Sequence, residues 1–354
     1  MVWFPSLLAI WIVLPMDVSS NELHPRPGSH GRKKLIIDTD MLNFDDDPMA
    51  IGLANIFQRW GRVEILGFVS SVSSRYVPPG IDAINTFYGH GEIPVAIRKP
   101  VDNSTIDPDW PVYHEYLMGL TYNFPEDIRD GSNTTDPVTL YRNLLARSPD
   151  KSITIAIIGF FDNLFHLIKS GPDSVSPLSG VELLHRKVAE LVVQGNDVGE
   201  SFNLIQHNGT FAATVLNGWK GNLTFVPDAV GDMTYVGKRL TSETSPANPV
   251  AYTFETCIGY NKSHQAWDVA AMYYAICGLH PAFKLVHDHG MVHVAPNGST
   301  SWNDSDAGLH SQNALNLAIS NVTFASALEA ILIWEPGHKK PANHSDACDL
   351  LRFS

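Results

Sequence analysis

The residues best suited to chemistry lie in one acidic segment near the start of the chain. Residues 38–47 read DTDMLNFDDD, so five carboxylates fall within ten residues. Two unit charges about 4 Å apart repel each other by about 4 kcal/mol at an effective dielectric of about 20. A hard cation converts this repulsion into coordination, and carboxylate oxygens are the ligands that calcium and magnesium prefer. The segment therefore predicts a site for a divalent cation.

The elements on either side of this segment decide where it lies. Residues 34–38 read KLIID, which is typical of a fully buried strand, and residues 48–58 predict a helix with Asp47 as its N-cap. The acidic segment thus leaves the carboxyl end of a strand and enters a helix, the place where ligands bind in open α/β sheets.

Strand and helix patterns continue to alternate along the chain. Further strands are predicted at 63–69, 93–97, 153–158, 190–193, 223–226 and 235–236, and helices at 81–88, 138–146, 163–169 and 267–276. This alternation predicts an α/β fold with a mostly parallel, Rossmann-like sheet and helices on both faces. No change in composition marks a second domain.

Three interpretations of the acidic segment differ in their chemistry. An EF-hand loop starting at Asp38 fails, because its closing Glu position holds Met49. A strand ending in Asp-x-Asp is also typical of aspartyl phosphatases, with Asp38 as nucleophile and Asp40 as acid. That interpretation leaves Asp46 and Asp47 unexplained. The third is a solvated acidic turn at a helix N-terminus, where carboxylates are favourable without further purpose.

Composition excludes several classes of protein and partner. Of 354 residues, 44% are hydrophobic, which is enough for a large core. The 37 acidic and 24 basic residues give a formal charge of −13, which disfavours binding to nucleic acid or to anionic lipid. Three cysteines allow at most one disulfide.

The N-terminal region predicts export from the cell. Residues 1–20 are predicted to be a signal peptide, because an apolar run at 2–16 precedes small residues suited to signal peptidase. That run is too short for a stable membrane anchor. Residues 21–33 are predicted to be a flexible lead-in, 34–338 a single α/β domain, and 339–354 a loosely held tail.

Acceptors for N-glycosylation agree with a secreted, extracellular protein. Nine Asn-x-Ser/Thr sites are spread along the chain. They are Asn103, Asn133, Asn208, Asn222, Asn261, Asn297, Asn303, Asn321 and Asn343. We expect these positions to lie at the surface of a glycoprotein.

A set of motifs occurs in a defined order along the chain. The motifs are Asp38-Thr39-Asp40, Asp46-Asp47-Pro48-Met49-Ala50, Ile158-Gly159-Phe160-Phe161-Asp162-Asn163-Leu164, Leu191-Val192-Val193-Gln194-Gly195, Phe202-Asn203 and Ser263-His264-Gln265-Ala266-Trp267-Asp268. Together they resemble the inosine-uridine-preferring nucleoside hydrolase family, and within it a secreted, fungal-type branch. The resemblance covers residues 35–336. It implies a nucleoside hydrolase-like fold and calcium-dependent hydrolysis of the N-glycosidic bond of ribonucleosides, giving ribose and free base.

The resemblance also implies a calcium site of three carboxylates and one backbone carbonyl. These ligands would come from Asp40, Asp47, Asp268 and Ile158. Water and two ribose hydroxyls would complete a shell of about 6–8 oxygens. Asp40 would also be the catalytic base that accepts the proton of the attacking water. Asp38 would orient the loop from behind the ligands.

Substrate contacts are implied less completely. Asp46 and Asn203 would bind oxygens of the ribose. Where the family has a His that helps a purine to leave, this chain has Trp267, which either stacks on the base or packs in the core. His264 and His310 are alternative candidates for the acid that would protonate the leaving base. The resemblance further implies a small nucleoside substrate and allows a homo-oligomer.

Other interpretations of the function stay open. One is a protein that binds calcium and nucleoside but has lost turnover, because Trp267 and Ser201 depart from the family pattern. Another is a magnesium-dependent phosphatase built on Asp38. A zinc site formed by the histidines in residues 287–293 is a further possibility, although a polar hairpin is favoured there.

Overall fold

The computed structural model describes residues 32–42, 46–103, 116–304, 311–339 and 348. The strands are β1 (Lys33–Thr39), β2 (Val63–Ser70), β3 (Val95–Ile97), β4 (Ile153–Ile158), β5 (Val188–Gln194), β6 (Asn222–Val226), β7 (Tyr235–Val236), β8 (His264–Gln265), β9 (Phe283–Leu285), β10 (Met291–Val294), β11 (Thr300–Asn303) and β12 (Gln312–Leu317).

Helices connect most of these strands. They are α1 (Asp46–Arg59), α2 (Val77–Phe87), α3 (Leu117–Asn123), α4 (Pro137–Arg147), α5 (Asp162–Lys169), α6 (Gly180–Lys187), α7 (Phe202–Ile205), α8 (Gly209–Gly218), α9 (Asp228–Asp232), α10 (Lys238–Glu243), α11 (Pro249–Cys257), α12 (Trp267–Cys277) and α13 (Asn321–Leu332). N-capping side chains define where several helices begin. Ser179 and Glu182 form a capping box at α6, and Asp136 caps α4.

Eight strands form the central sheet in the order β3-β2-β1-β4-β5-β6-β12-β9. Every neighbouring pair is parallel except β12 and β9, which run antiparallel at one edge. The strand order reverses between β1 and β4, and the crevice at such a switch point is where doubly wound sheets bind ligands. The segment that follows β1 opens at this crevice.

Two hydrophobic cores cover the two faces of the sheet. Successive residues of β1 alternate between them, since Leu35 and Ile37 face one core and Ile36 faces the other. Helices α1 and α12 pack against each other in the first core, and α4, α5 and α6 pack together in the second. Each fully buried Leu or Ile of these strands contributes about 1.5–3 kcal/mol by leaving water. The predicted α/β fold with a mostly parallel sheet is confirmed.

Element boundaries differ from the sequence predictions in ways that have local causes. Helix α1 starts at Asp46 instead of residue 48, so Asp47 lies in its first turn and is not the N-cap. Helix α2 starts at Val77 because its two prolines, Pro78 and Pro79, fit a first helical turn, where an N–H is not needed. Strand β3 is shorter than predicted.

Few residues of the predicted terminal segments belong to the part of the chain that the structure describes. Residues 1–31, which include the predicted signal peptide and most of the lead-in, lie outside the described residues, while Lys33 already belongs to β1. In the predicted tail, Cys348 forms a disulfide with Cys277 at the end of α12, and Tyr273 donates a hydrogen bond of 3.2 Å to its carbonyl. The chain is therefore held at this residue, and the prediction of a loosely held tail does not apply there.

The third cysteine, Cys257, is buried in α11. In the part of the chain that the structure describes, no helix combines the length and the apolar character needed to cross a bilayer.

Candidate active site

A cavity of about 300 Å³ opens at the carboxyl edge of the sheet. All of its lining residues but Asp232, which ends α9, lie at or just after the ends of four neighbouring parallel strands or at the start of nearby helices. The lining residues are Asp40, Asp46, Asp47, Ile158, Gln194, Phe202, Asn203, Asp228, Asp232, Trp267 and Asp268. The cavity therefore occupies the crevice that the strand order predicts.

Three buried carboxylates form the most concentrated charge in this cavity. Asp46 and Asp47 lie in the first turn of α1, and Asp268 lies in the first turn of α12. Their nearest carboxylate oxygens all lie within 4.8 Å of one another, and within the described residues no other group of three or more acidic, His or Cys side chains has this geometry. Because α1 and α12 pack together, the partial positive charges of two helix N-termini converge on the carboxylates.

The chemical environment of Asp47 shows what this cluster requires. Burial raises the pKa of Asp47 well above its usual range, and the charges of Asp40 and Asp46 raise it further. A hydrogen bond from the Thr39 hydroxyl acts in the opposite direction but does not compensate. Only a positive charge among the oxygens would make the ionised carboxylates favourable together, and an all-oxygen donor set suits a hard divalent cation. The residues could therefore hold a metal ion.

Asp38 lies behind the cavity and not in its lining. Its side chain is fully buried, with Oδ2 accepting a hydrogen bond of 2.8 Å from the Tyr141 hydroxyl and Oδ1 one of 2.8 Å from Asn163 Nδ2. Burial raises the pKa of Asp38 in spite of both hydrogen bonds. A carboxylate enclosed in this way cannot attack a phosphate, so the phosphatase interpretation with Asp38 as nucleophile is wrong.

Close backbone packing holds Asp40 at the mouth of the cavity. Ser71 connects three strand ends, because its hydroxyl donates to the Thr39 carbonyl at 3.2 Å and accepts from the Phe160 N–H at 3.2 Å. Gly159 passes so close that a Cβ there would lie 2.4 Å from the Asp40 nitrogen. Only glycine therefore permits this approach. Asp40 itself is half-buried, so solvent can reach its carboxylate.

A chain of hydrogen bonds fixes the amide groups on the opposite wall. Asn203 Nδ2 donates to Gln194 Oε1 at 2.8 Å, and Gln194 Nε2 donates to Asp228 Oδ1 at 2.8 Å. Asn196 Nδ2 donates to the second oxygen of Asp228 at 2.9 Å. Because Asn203 Nδ2 donates a hydrogen bond to Gln194, the carboxamide of Asn203 has a single defined orientation.

Trp267 forms part of the wall beside the carboxylate cluster. Its indole Nε1 donates a hydrogen bond of 2.8 Å to Asp232, an exposed residue at the end of α9. Gly231 allows this contact, because a Cβ there would lie 2.3 Å from the indole ring. The ring of His264 packs edge-on against Trp267, with centroids 5.7 Å apart. His264 is not among the residues that line the cavity.

The structure brings most residues predicted from the sequence into one place. Seven of them line the same cavity: Asp40, Asp46, Asp47, Ile158, Asn203, Trp267 and Asp268. The sequence assigned Asp46 to the sugar, whereas the structure groups it with Asp47 and Asp268. The assignment to the sugar followed from the resemblance alone, and the structure places Asp46 next to Asp47 in the first turn of α1. His310 lies outside the described residues.

Sequence reasoning missed several lining residues. Gln194 appeared in a motif without a role, and Phe202, Asp228 and Asp232 received none. Asp228 follows the buried strand β6 much as Asp40 follows β1, so the same strand-end rule could have found it.

The histidines at residues 287–293 do not form a metal site. His287 Nε2 lies 2.6 Å from Asp197 Oδ2, and its ring stacks on Trp302 with centroids 3.8 Å apart. His289 is exposed, and His293 lies on the antiparallel ribbon of β10 and β11. The favoured hairpin interpretation agrees with this arrangement.

Most of the predicted glycosylation acceptors in the described part of the chain lie where an enzyme could reach them. Seven are exposed: Asn103, Asn133, Asn208, Asn222, Asn261, Asn297 and Asn303. Asn321 is half-buried, and Asn343 lies outside the described residues. Exposure is a condition for glycosylation, which stays a prediction.

Comparison with known proteins points to one fold. No protein-family model matches the chain, and no curated protein matches its sequence. Solved structures do match. A plant nucleoside hydrolase has a TM-score of 0.60 and 18% identity, covering 85% of this chain and 99% of its own. A purine-preferring ribonucleoside hydrolase from Gardnerella vaginalis has a TM-score of 0.60 and 15% identity, covering 85% of this chain and 98% of its own.

A third similar structure is an inosine-uridine preferring nucleoside hydrolase from Bacillus anthracis. Its TM-score is 0.59 and its identity 12%, and the match covers 85% of this chain and 99% of that one. At such identities, the matches establish the fold. The chain has a nucleoside hydrolase-like α/β fold, with its carboxylate cluster at the carboxyl edge of the sheet.

Proposed function

We propose that this protein is a calcium-dependent N-glycosyl hydrolase of the secreted branch that its motifs resemble, cleaving ribonucleosides to ribose and free base. The observation that carries the proposal is the cluster of Asp46, Asp47 and Asp268, which lies in the ligand crevice of a nucleoside hydrolase-like fold. The similar structures are described as nucleoside hydrolases, which supports the same class of reaction.

The residues present fit a calcium ion. All donors in the cluster are carboxylate oxygens. Asp40 lies close enough to Asp47 for its charge to raise the pKa of Asp47. Ile158 also lines the cavity and could add its carbonyl. Calcium accepts 6–8 oxygens in flexible geometry, which suits a cluster completed by water and sugar hydroxyls. When bound, the ion supplies positive charge beside the sugar diol and makes a neighbouring water more acidic.

Asp40 is suited to act as the general base. Its backbone is fixed by the close approach of Gly159, while its carboxylate remains accessible from the cavity. A water positioned there can transfer a proton to Asp40 as its oxygen attacks C1′ of the sugar. A positioned general base contributes about 10²–10⁴-fold to the rate.

Other groups hold the sugar and stabilise its developing charge. Hydrolysis of an N-glycosidic bond builds positive charge on the ribose, as O-glycoside hydrolysis does. The fixed carboxamide of Asn203 is placed to hold a ribose hydroxyl. Carboxylates that line the cavity, Asp46 among them, stabilise the cationic sugar because they are already oriented before the reaction.

Export and glycosylation belong to the same proposal. The disulfide between Cys277 and Cys348 supports it, because disulfides form and persist in oxidising compartments. The exposure of seven acceptor asparagines supports glycosylation. Digestion of the secreted protein with an N-glycosidase, followed by mass measurement, tests which sites carry sugar.

The function is tested by measuring ribose released from inosine, uridine, adenosine and guanosine, with and without a calcium chelator. We expect release that the chelator abolishes and added calcium restores. Asp40→Ala and Asp268→Ala should remove it while the proteins remain folded. Glu64→Ala is the matched control, because Glu64 is exposed at the start of β2, at the opposite edge of the sheet. Full activity in both folded Asp variants would show that the assignment is wrong.

A binding protein that has lost turnover is the second candidate. The substitution of Trp267 for the family's leaving-group His motivates it. In that case, calcium and nucleoside would bind together in a calorimeter, yet no ribose would appear over hours.

A further inference from the structure

The cavity has an unusual set of side chains for releasing a neutral base. Six of its lining residues are aspartates, and the polar remainder are the amides of Gln194 and Asn203 and the indole of Trp267. Among the described lining residues there is no His, Lys, Arg, Tyr or Cys. The described wall thus offers no positive charge and, apart from carboxyl groups, no side chain that readily donates a proton near neutral pH.

One part of this wall combines an aromatic ring with a carboxylate. Trp267 donates its indole N–H to Asp232 at 2.8 Å, which fixes the ring and places a negative charge at its edge. Gly231 lets helix α9 lie directly against the indole. An electron-rich ring and a carboxylate both attract cations, and Trp is the most favourable of the aromatic side chains for this.

The charge of the leaving base determines whether it needs an acid. A neutral base departs with the bonding electron pair and becomes an anion, so it must take up a proton. A base that already carries a fixed positive charge on its ring departs as a neutral molecule. In that reaction, water adds its oxygen to C1′, the C1′–N bond breaks, and the electron pair cancels the charge on the ring. One water proton passes to Asp40, and the products are ribose and the neutral base.

We propose that the cavity prefers N-ribosides whose base carries a fixed positive charge, held by Trp267 and Asp232. This inference rests on the proposed hydrolase function and specifies its substrate class. The acidic wall attracts such a substrate, and its cleavage does not need a proton donor, of which the described wall offers none besides carboxyl groups. A neutral purine nucleoside benefits from neither feature.

The test compares guanosine with 7-methylguanosine at mildly acidic pH, where the methylated base keeps its charge. Nicotinamide riboside is a second cationic probe. Rates without enzyme are subtracted, because cationic ribosides are less stable by themselves. We expect kcat/KM for 7-methylguanosine to exceed that for guanosine by at least about tenfold, the size of a desolvated cation–π contact.

The Asp232→Asn variant separates recognition from the chemical lability of the probe. It keeps an oxygen acceptor for the Trp267 N–H but loses the charge, and the exposed position should leave folding intact, which a thermal melt checks. We expect kcat/KM for 7-methylguanosine to fall about tenfold and that for guanosine to change much less. Glu64→Gln, which removes a charge at the opposite edge of the sheet, should leave both rates unchanged.

Three results would overturn the inference, and they distinguish its failure from the failure of the proposed function. If wild-type protein cleaves guanosine as fast as 7-methylguanosine, or if Asp232→Asn slows both equally, the preference is wrong while the hydrolase function stands. If no riboside, neutral or cationic, is cleaved in the presence of calcium, the proposed function itself is wrong and the inference fails with it.

Discussion

In one part of the cavity wall, the carboxylates of Asp46, Asp47 and Asp268 are buried in the first turns of two packed helices, whereas in another part Asp232 is exposed and meets Trp267 through one hydrogen bond. We call the first set the cation wall and the second the leaving-group wall. The cation wall is fixed by the packing of α1 on α12 in the core. The leaving-group wall lies where the end of α9 meets the start of α12, with Asp232 bonded to the indole N–H and Gly231 packed against the indole ring.

This difference separates two properties of the site. Groups fixed by the core cannot change without cost to folding, and under the proposed function we expect the cation wall to determine whether the reaction occurs. Groups held at the surface can change with little effect on stability, and we expect the leaving-group wall to determine which base is released. Each of the following substitutions tests one side of this division.

The largest effect is expected from Asp268→Asn in the cation wall. The substitution replaces one of three clustered carboxylates by a neutral carboxamide and weakens calcium binding, so ribose release should fall by about a thousandfold or more for every substrate. Calorimetric titration with calcium should show weakened binding, and calcium should no longer raise the melting temperature. If Asp268→Asn lost activity on nucleosides of one base only, the proposed division of roles between the cation wall and the leaving-group wall would be contradicted.

The next effect is expected from Gln194→Leu, which interrupts the hydrogen bonds from Asn203 to Asp228. Asn203 would lose its fixed orientation, and KM should rise about tenfold for neutral and cationic substrates alike. Two polar groups would lose their partner, so the free energy of unfolding should fall by about 1–3 kcal/mol. Substrate titrations and urea unfolding measure the two effects.

Asn196→Ala is the matched control for this variant. It removes two hydrogen bonds with Asp228, one to its carboxylate and one from its backbone N–H, and one to the Glu200 carbonyl. The contact between Gln194 and Asn203 stays in place. We expect lower stability with little change in KM. A rise in KM as large as that of Gln194→Leu would show that Asp228, and not the orientation of Asn203, controls binding of the sugar.

A smaller and selective effect is expected from Trp267→His in the leaving-group wall. An imidazolium can give a proton to a departing neutral base, so kcat/KM for guanosine should increase about tenfold. The rate for 7-methylguanosine should fall, because the indole face is lost. Trp267→Phe is the control, since it keeps an aromatic face without an acid. Equal changes for both substrates would argue against a role of residue 267 in recognising the base.

The same division explains how far the sequence could predict the site. The acidic residues 38–47 and the alternation of strands and helices are local patterns, and they predicted both the fold and the position of the cavity. Asp268 is separated from Asp46 by 222 residues, so its place in the cluster depended on a resemblance to known motifs. The contact between Asp232 and Trp267 arises from the packing of α9 beside α12, which no local pattern encodes.

Two residues show the physical limits of the sequence argument more closely. Asp46 was assigned to the sugar from the resemblance to known motifs, whereas the structure places its carboxylate beside those of Asp47 and Asp268. Asp38 was a possible nucleophile because nothing in the sequence shows that Tyr141 and Asn163 enclose it. Both differences concern where a side chain points, which depends on tertiary packing.

The smallest effect on folding is expected from Asp232→Asn, and it is the sharpest test of the division between the two walls. Asp232 is exposed and ends a short helix, so the free energy of unfolding should change by no more than about 0.5 kcal/mol. The affinity for calcium should also stay within about twofold of the wild-type value, because Asp232 is not part of the carboxylate cluster. Urea unfolding and calcium titration measure these quantities. A large loss of either one would show that the leaving-group wall supports the cation wall, and the two parts of the cavity would then have to be treated as one unit.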